Sequence, residues 1–208
     1  MADSVFQIVL PLFWLWLIVG VGANRWCVLR QLGRDPIVIR PWRAAESPGG
    51  YLERALSICT LLFTADIVFN AISPAAVADT LAINALRASR VAGYFGLVLL
   101  TIGFLLAAIA VRQMGVSWRI GIDSEAPGTL VSRGLFSRVR HPIYAGMLLA
   151  TAGMAAVTAD LLSVAVAAGA WVGIPVQARL EEAFLLSRFP QEYGTYLEQT
   201  GRFWPRLG

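Results

Sequence analysis

The sequence contains very few side chains that hold metal ions or carry out redox chemistry. Lysine is absent, so all 17 basic residues are arginines, and the 208 residues include one histidine and two cysteines. Cys27 and Cys59 stand in no metal-binding or redox spacing, and a single histidine does not build a metal cage of the usual kind. We therefore expect no metal site.

Charged residues are scarce as well. They make up 14% of the chain against 57% for hydrophobic residues, which excludes an ordinary soluble domain. The first apolar run follows Asp3 rather than a basic stretch, which favours a retained helix over a signal peptide. The sequence predicts an all-α, polytopic integral membrane protein with about five transmembrane helices, because apolar runs of near-spanning length lie at 5–23, 52–73, 91–111, 143–158 and 161–180.

The arginines are distributed very unevenly among the loops. Residues 24–54 carry six, residues 112–140 carry five and the C-terminal end carries four, whereas the opposite side has only Arg87 and Arg90. By the positive-inside rule, the N-terminus lies outside, and the C-terminus and any active site near it are cytoplasmic. The basic pI of about 9.6 then reflects topology and attraction to anionic membrane lipids, so we expect no nucleic-acid partner.

The fourth and fifth apolar runs are joined by only a few residues, with Asp160 as the expected N-cap of the fifth helix. They must form an antiparallel hairpin. Folding it about residue 160 brings His141 level with Arg179 and within one helical turn of Glu181 and Glu182. Small residues on both helices predict a close approach of their backbones; these residues are Gly146, Ala150 and Gly153, and Ala165, Gly169 and Gly173.

This end of the hairpin suits a ligand that carries both signs of charge. Pro142 is well placed in the first turn of the fourth helix, whose N-terminus, together with Arg140, favours an anion. Glu181 and Glu182 favour a cation, since carboxylates near a membrane boundary are usually paired or functional. An amino-acid-like molecule would satisfy both. The alternative is that the arginines and His141 are ordinary topology signals that the two glutamates neutralise.

A second polar pair lies within the second apolar run. Asp66 and Asn70 are four residues apart and therefore share one face of a helix. They either form hydrogen bonds between helices or line a cavity. The spacing favours hydrogen bonding in the packed bundle.

The last third of the chain carries a set of motifs in a specific order. They are Leu130-Val131, Gly134-Leu135-Phe136, Arg140-His141-Pro142-Ile143-Tyr144-Ala145-Gly146, Glu181-Glu182-Ala183-Phe184-Leu185, Phe189, Glu192-Tyr193, Tyr196 and Gly201-Arg202-Phe203-Trp204-Pro205. In these residues the chain resembles the isoprenylcysteine carboxyl methyltransferase family of integral membrane methyltransferases, including its prokaryotic members, and the related phospholipid N-methyltransferases. Residues 1–111, the first three transmembrane helices, match only as apolar spans.

The resemblance implies that residues 112–208 form a catalytic region with a cytoplasmic cofactor pocket. It implies S-adenosylmethionine as methyl donor, S-adenosylhomocysteine as product, and a lipophilic acceptor such as a lipid or a prenylated substrate. It places Arg140, Glu182 and Arg202 in catalysis or on the substrate side. It places around the cofactor Leu130, Val131, Gly134, His141, Pro142, Tyr144, Gly146, Glu181 and Glu182.

Two departures from the family pattern leave the acceptor open. Many relatives carry Tyr where Phe136 stands, and a histidine before the Leu-Val pair where this chain has Pro127-Gly128-Thr129. A carboxylate acceptor needs an arginine to orient it, and an amine acceptor needs a carboxylate nearby to take its proton. Both residue types are present, so the sequence does not decide between the two acceptors. It also does not decide whether Glu181 or Glu182 contacts the cofactor.

Two other classes of function are compatible with the sequence. One is an NADPH-dependent membrane reductase of the sterol-reductase type, which resembles this family in its C-terminal helices but is normally longer. The other is a non-enzymatic scaffold or small transporter, in which the charged end of the hairpin is only a topology signal. The absence of an internal repeat argues against the common transporter plans.

Overall fold

The protein is an all-helical bundle, as predicted. The computed structural model describes residues 2–37, 48–73, 81–83, 89–118 and 130–206. These residues form six α-helices, namely α1 (Ala2–Leu32), α2 (Pro48–Ile72), α3 (Arg90–Met114), α4 (Pro142–Thr158), α5 (Leu161–Arg188) and α6 (Pro190–Gln199). Short 3-10 helices follow α3 (Gly115–Ser117) and precede α4 (Gly134–Ser137).

Several of these helices are long and apolar enough to cross a bilayer. Within the described residues, the candidates by length and composition are 54–72, 90–117 and 161–188, and α4 is a shorter apolar helix of 17 residues. The first predicted span lies in α1, which continues to Leu32, beyond the expected end at residue 23. It ends where Gly33 adopts a positive φ of 64°, a conformation that favours glycine at helix ends. The chain is therefore a multi-pass membrane protein.

The closest backbone approach joins α3 to α4. A Cβ atom placed on Gly146 would lie 2.5 Å from the carbonyl oxygen of Gly103, and one on Gly96 would lie 2.8 Å from the carbonyl oxygen of Gly153. The expectation that the small residues of α4 and α5 allow these two helices to approach each other closely was wrong for Gly146 and Gly153, which face α3. On α5, Gly173 instead faces α2, where its Cβ position lies 3.0 Å from Leu56. Small residues allow close packing, but they do not specify the partner helix.

The turn between α4 and α5 confirms the predicted hairpin. Asp160 caps α5 by accepting a hydrogen bond from the backbone N–H of Ser163 at 2.8 Å. Asn70 on α2 donates to Asp66 at 3.0 Å and to Asp160 at 3.3 Å. The pair on α2 thus forms hydrogen bonds between helices, as its spacing indicated. The hairpin fixes which residues meet at the other end of α4 and α5.

Candidate functional site

The approach to α4 is shaped by a tight turn. Gly134 has a positive φ of 63°, and a Cβ atom there would lie 2.5 Å from the side chain of Gln113 at the end of α3. The side-chain oxygen of Gln113, Oε1, accepts a hydrogen bond from the backbone N–H of Leu135 at 2.8 Å. Glycine suits this position because it tolerates positive φ and leaves room for the side chain. The segment that leads into α4 is therefore tied to α3.

The chain after α6 returns to the start of α4 and pairs with it through the backbone. The N–H of Arg140 donates to Gly201 at 2.8 Å, the N–H of His141 donates to Arg202 at 3.0 Å, and the N–H of Gly201 donates to Arg138 at 3.1 Å. This short parallel bridge holds the C-terminal segment beside the α4 N-terminus. It brings Arg202 to the hairpin end, which folding the hairpin alone did not predict.

Glu182 is the centre of a buried ion-pair network. Its side chain is 9% exposed and accepts hydrogen bonds from Arg140 Nε at 2.9 Å and from Arg202 Nη2 at 2.5 Å. The Arg140 side chain is 10% exposed, and its Nη1 also donates to the carbonyl oxygens of Leu197 and Thr200. Two cations and one buried carboxylate thus connect α4, α5 and the segment after α6. We call this group the Glu182 network.

Glu181 is in a different environment, although it is the next residue. Its side chain is 22% exposed, and it accepts hydrogen bonds from the hydroxyl of Tyr144 and from the amide of Gln177, the latter at 3.0 Å. No arginine among the described residues pairs with it by an ion contact, and the nearest cationic candidate is His141 Nδ1 at 3.7 Å. Glu181 is therefore the glutamate of the two that has neutral hydrogen-bond donors rather than arginines as its partners.

His141 lies between the two glutamates. Its ring is 8% exposed and stacks on Tyr144, with centroids 5.5 Å apart and planes 9° apart, while Phe203 tilts against it at 6.2 Å. Nε2 lies 3.3 Å from a carboxylate oxygen of Glu182, which is its nearest polar contact, and it does not meet the geometry of a hydrogen bond to any atom in the described part of the chain. A buried ring nitrogen without a partner is uncommon and often marks a functional site.

Helix α6 covers this region with two tyrosines on one face. Tyr193 and Tyr196 are buried, and the Tyr196 hydroxyl donates to the carbonyl oxygen of Phe136 at 2.6 Å. Burial raises the pKa of Tyr196 to about 12, against the opposing influence of the Arg140 charge, and burial also raises the pKa of Tyr193. Both tyrosines are therefore neutral donors at physiological pH.

The structure brings together most of the residues that the sequence singled out. Pro142 occupies the first turn of α4 as expected. His141 lies against both glutamates and Tyr144 donates to Glu181, which confirms the geometry of the folded hairpin. Arg179, expected beside His141, is exposed, and the second arginine at the hairpin end is Arg202 instead.

Other expected cofactor residues lie elsewhere or at the margin. Gly146 faces Gly103 and Ala107 of α3, so helix packing accounts for this glycine without a ligand. Leu130 and Val131 are partly buried, and Gly134 forms the turn described above. The departure at Pro127-Gly128-Thr129 lies outside the described residues.

Sequence reasoning missed two polar positions in this region. Gln177 stands four residues before Glu181 on α5, a spacing that places both side chains on one helix face and was the available signal. Gln113 holds the turn before α4 from 22 residues away, and no local pattern indicates that contact.

Comparison with known proteins finds a family model and relatives that match about half of the chain. A model of the phospholipid methyltransferase family matches residues 91–192, which run from α3 into α6. A cobalt-zinc-cadmium resistance protein, CzcN of Cupriavidus metallidurans, is 38% identical over 111 residues, covering 52% of this chain and 50% of its own length. A probable protein-S-isoprenylcysteine O-methyltransferase of Oryza sativa is 32% identical over 109 residues, covering 51% of this chain and 57% of its own length.

A solved structure shares the fold. The eukaryotic intramembrane Ras methyltransferase ICMT superposes with a TM-score of 0.54 at 23% identity, over 79% of this chain and 55% of that protein. In its matched part the chain is similar to isoprenylcysteine carboxyl methyltransferases and phospholipid methyltransferases. The chain spans about half the length of the curated relatives it matches, and the matched part contains His141, Tyr144 and both glutamates.

Proposed function

We propose that the protein is an S-adenosylmethionine-dependent methyltransferase that acts at the membrane on a lipophilic acceptor. The observation that carries the proposal is the convergence of His141, Tyr144 and Glu181 beside the Glu182 network at one end of α4 and α5. The matched family model and the plant relatives, which are named as methyltransferases, support the reaction class.

The residues fit the proposed methyl donor. The donor carries a carboxylate, an ammonium group and a sulfonium, and Glu181 is a partly exposed carboxylate suited to the ammonium. The first turn of α4 has no side-chain cap, so its backbone N–H groups favour the donor's carboxylate. His141 Nε2 is a buried polar atom that lies 3.3 Å from Glu182 without the geometry of a hydrogen bond. Charge and hydrogen-bonding capacity therefore match on both sides.

We assign different roles to the two glutamates. Glu182 is neutralised by Arg140 and Arg202 and positions the start of α4. Glu181 is the more exposed carboxylate and binds the cofactor. Arg140 is held by protein atoms and acts as a positioning residue, whereas the Arg202 side chain is 32% exposed and can still reach an acceptor. The proposal keeps four further residues as part of the cofactor site: Leu130, Val131, Gly134 and Pro142.

The proposed methyl transfer requires no covalent intermediate with the protein. The bound donor supplies a methyl carbon that is already activated by the sulfonium. The protein's part is to hold an acceptor in line and to exclude water, which the aromatic rings of Tyr144 and Phe203 and the cover from α6 support. A carboxylate acceptor would use Arg202, and an amine acceptor would lose its proton to Glu181 or to water. The reaction class does not depend on this choice.

We leave metal ions out of the proposal, although two curated relatives are named for metal resistance. Across 2–37, 48–73, 81–83, 89–118 and 130–206, no group of three or more His, Cys, Asp or Glu side chains is placed to hold a metal ion. The single histidine already lies against two glutamates.

The experiment measures cofactor binding by the full chain in lipid nanodiscs. Binding of tritiated S-adenosylmethionine and the shift in melting temperature are recorded for wild type, His141→Ala and Glu181→Gln, with NADPH as a competing candidate. Glu198→Gln is the matched control, since it makes the same chemical change on an exposed side chain. We expect both site variants to bind at least tenfold more weakly and the control to bind like wild type.

A folded wild-type protein that binds no S-adenosylmethionine, or that is stabilised by NADPH alone, would refute the proposal. Equal binding by wild type and both site variants would refute the site assignment while leaving the activity standing. Incubation with labelled cofactor and membrane extract, followed by mass spectrometry of the labelled product, then identifies the acceptor.

A further inference from the structure

A second buried polar group lies at the opposite end of the bundle from the candidate site. Asp66 on α2 is 1% exposed and Asp160 at the start of α5 is 0% exposed. The amide of Asn70 lies within hydrogen-bond distance of both carboxyl groups, which places them side by side. Asp160 is 21 residues before Glu181 on α5, or about 30 Å along the helix at 1.5 Å per residue. This acidic pair is therefore separate from the proposed cofactor site.

The acidic pair has fewer hydrogen-bond donors than it needs. The Asn70 amide donates to Asp66 Oδ1 at 3.0 Å and to Asp160 Oδ2 at 3.3 Å, and the N–H of Ser163 donates to Asp160 Oδ1 at 2.8 Å. Asp66 Oδ2 is buried and has no hydrogen-bond partner among the residues that the structure describes. One carboxylate oxygen of the pair is thus buried without a donor among these residues.

The described surroundings of the pair are apolar or neutral. Asp66 is flanked on α2 by Phe63 and Ile67, which belong to the main apolar core together with Leu100 and Met154. Asn70 is the neutral donor that the two carboxyl groups share. In the described part of the chain, no arginine forms an ion pair with either carboxyl group. Two adjacent buried carboxylates without a cation are strongly unfavourable.

We propose that Asp66 and Asp160 form a binding site for one monovalent cation, either a proton or Na⁺, which Asp66 Oδ2 and Asp160 share. If the ion is a proton, it is taken from water and bound to Asp66 Oδ2, and the resulting hydroxyl donates a hydrogen bond to the carboxylate of Asp160. If it is Na⁺, both carboxylates coordinate it. Either ion supplies the partner that Asp66 Oδ2 lacks and leaves the two carboxyl groups with a net charge of minus one.

The bound cation would fasten one end of the bundle. Asp160 is flanked by two backbone hydrogen bonds to the segment 81–83, from Ile83 N to Ala159 O at 2.8 Å and from Leu161 N to Leu81 O at 3.0 Å. Asn70 connects the same point to α2. Occupancy of the site therefore stabilises the contact between α2, the start of α5 and this segment.

The test measures the unfolding of the full chain in nanodiscs between pH 5 and pH 9, in buffers that contain either Na⁺ or N-methylglucamine at equal ionic strength. A proton bound only in the folded state makes stability fall as pH rises, by up to about tenfold in the unfolding constant per pH unit. A Na⁺ site gives a melting temperature that rises with Na⁺ and not with N-methylglucamine. Asp66→Asn, whose amide supplies a permanent donor, is expected to abolish whichever dependence is seen.

Asp35→Asn is the matched control because Asp35 is exposed, and it is expected to keep the wild-type dependence. If Asp66→Asn does not fold, infrared spectra of wild type labelled with ¹³C-aspartate decide: a protonated Asp carboxyl at neutral pH, or an Na⁺-induced shift of the carboxylate band, supports the site. Stability independent of both pH and Na⁺ in wild type, together with fully ionised aspartates insensitive to Na⁺, would overturn the proposal. Cofactor binding is a separate readout that Asp66→Asn leaves unchanged.

Discussion

Replacing Glu182 by glutamine should destabilise the fold more than it affects any ligand directly. The substitution keeps one acceptor oxygen but removes the charge, and its new NH₂ group faces an arginine donor. Arg140, with a side chain only 10% exposed, then keeps a buried charge without a counterion. Breaking a buried ion pair costs about 3–5 kcal/mol, whereas the contact with the partly exposed Arg202 adds at most about 1 kcal/mol.

We therefore expect Glu182→Gln to lower the free energy of unfolding by about 3 kcal/mol. For a chain of this size that corresponds to a fall of roughly 6–12 °C in melting temperature. Glu181→Gln should cost less than about 1 kcal/mol, because the amide oxygen of the new side chain can still accept hydrogen bonds from Tyr144 and Gln177. Thermal unfolding of both variants in nanodiscs, without cofactor, makes the comparison.

A double-mutant cycle separates the ion pair from other effects of the substitution. Arg140→Gln combined with Glu182→Gln should lose less stability than the sum of the single variants, with an interaction energy of at least about 1 kcal/mol. A Glu182→Gln variant that melts within about 2 °C of wild type yet no longer binds cofactor, or a strictly additive cycle, would refute the structural role of the Glu182 network and make Glu182 the cofactor's own ligand.

Three further predictions address other contacts. Gly153→Ala should lower the free energy of unfolding by about 1–3 kcal/mol, measured by thermal unfolding, because the new Cβ would meet the backbone of α3. Gly194→Ala is the control, since open space surrounds Gly194 and the variant should not lose stability. Equal effects of the two substitutions would contradict the packing of α3 against α4. Tyr196→Phe removes the buried donor to Phe136 and should cost about 1–3 kcal/mol in the same assay, and an unchanged melting temperature would count against that hydrogen bond. Arg202→Ala should reduce methyl transfer more than cofactor binding, measured as turnover against affinity, and the reverse pattern would move Arg202 to the cofactor side.

Much of this architecture was predictable because it depends on short-range periodicity. Apolar run lengths give the helices, and a tight turn at residue 160 forces the two following helical stretches to be antiparallel. From that turn, the rise per residue is enough to place His141 opposite Glu181 and Glu182. The N-cap at Asp160 follows from the same local reasoning.

The remaining features depend on choices among distant partners. Gly146 and Gly153 reveal a face that allows close packing, but α3 and α5 both offer small residues, and only three-dimensional fit selects α3. Glu182 attracts any arginine within reach, and the sequence offers Arg179 as readily as Arg202. The backbone pairing of Arg140 and His141 with residues 201–202 decides in favour of Arg202, and such pairing has no signature in side-chain pattern.

The partners of Glu182 also set an order of events during synthesis. Arg140 precedes Glu182 by 42 residues, and Arg202 follows it by 20. While the chain is being made, the carboxylate therefore enters the bundle with only one of its two arginines available. Helix α6 and the segment after it must dock before the charges at this end of α4 and α5 are balanced. The candidate site is therefore complete only after Arg202 has been synthesised and has reached Glu182.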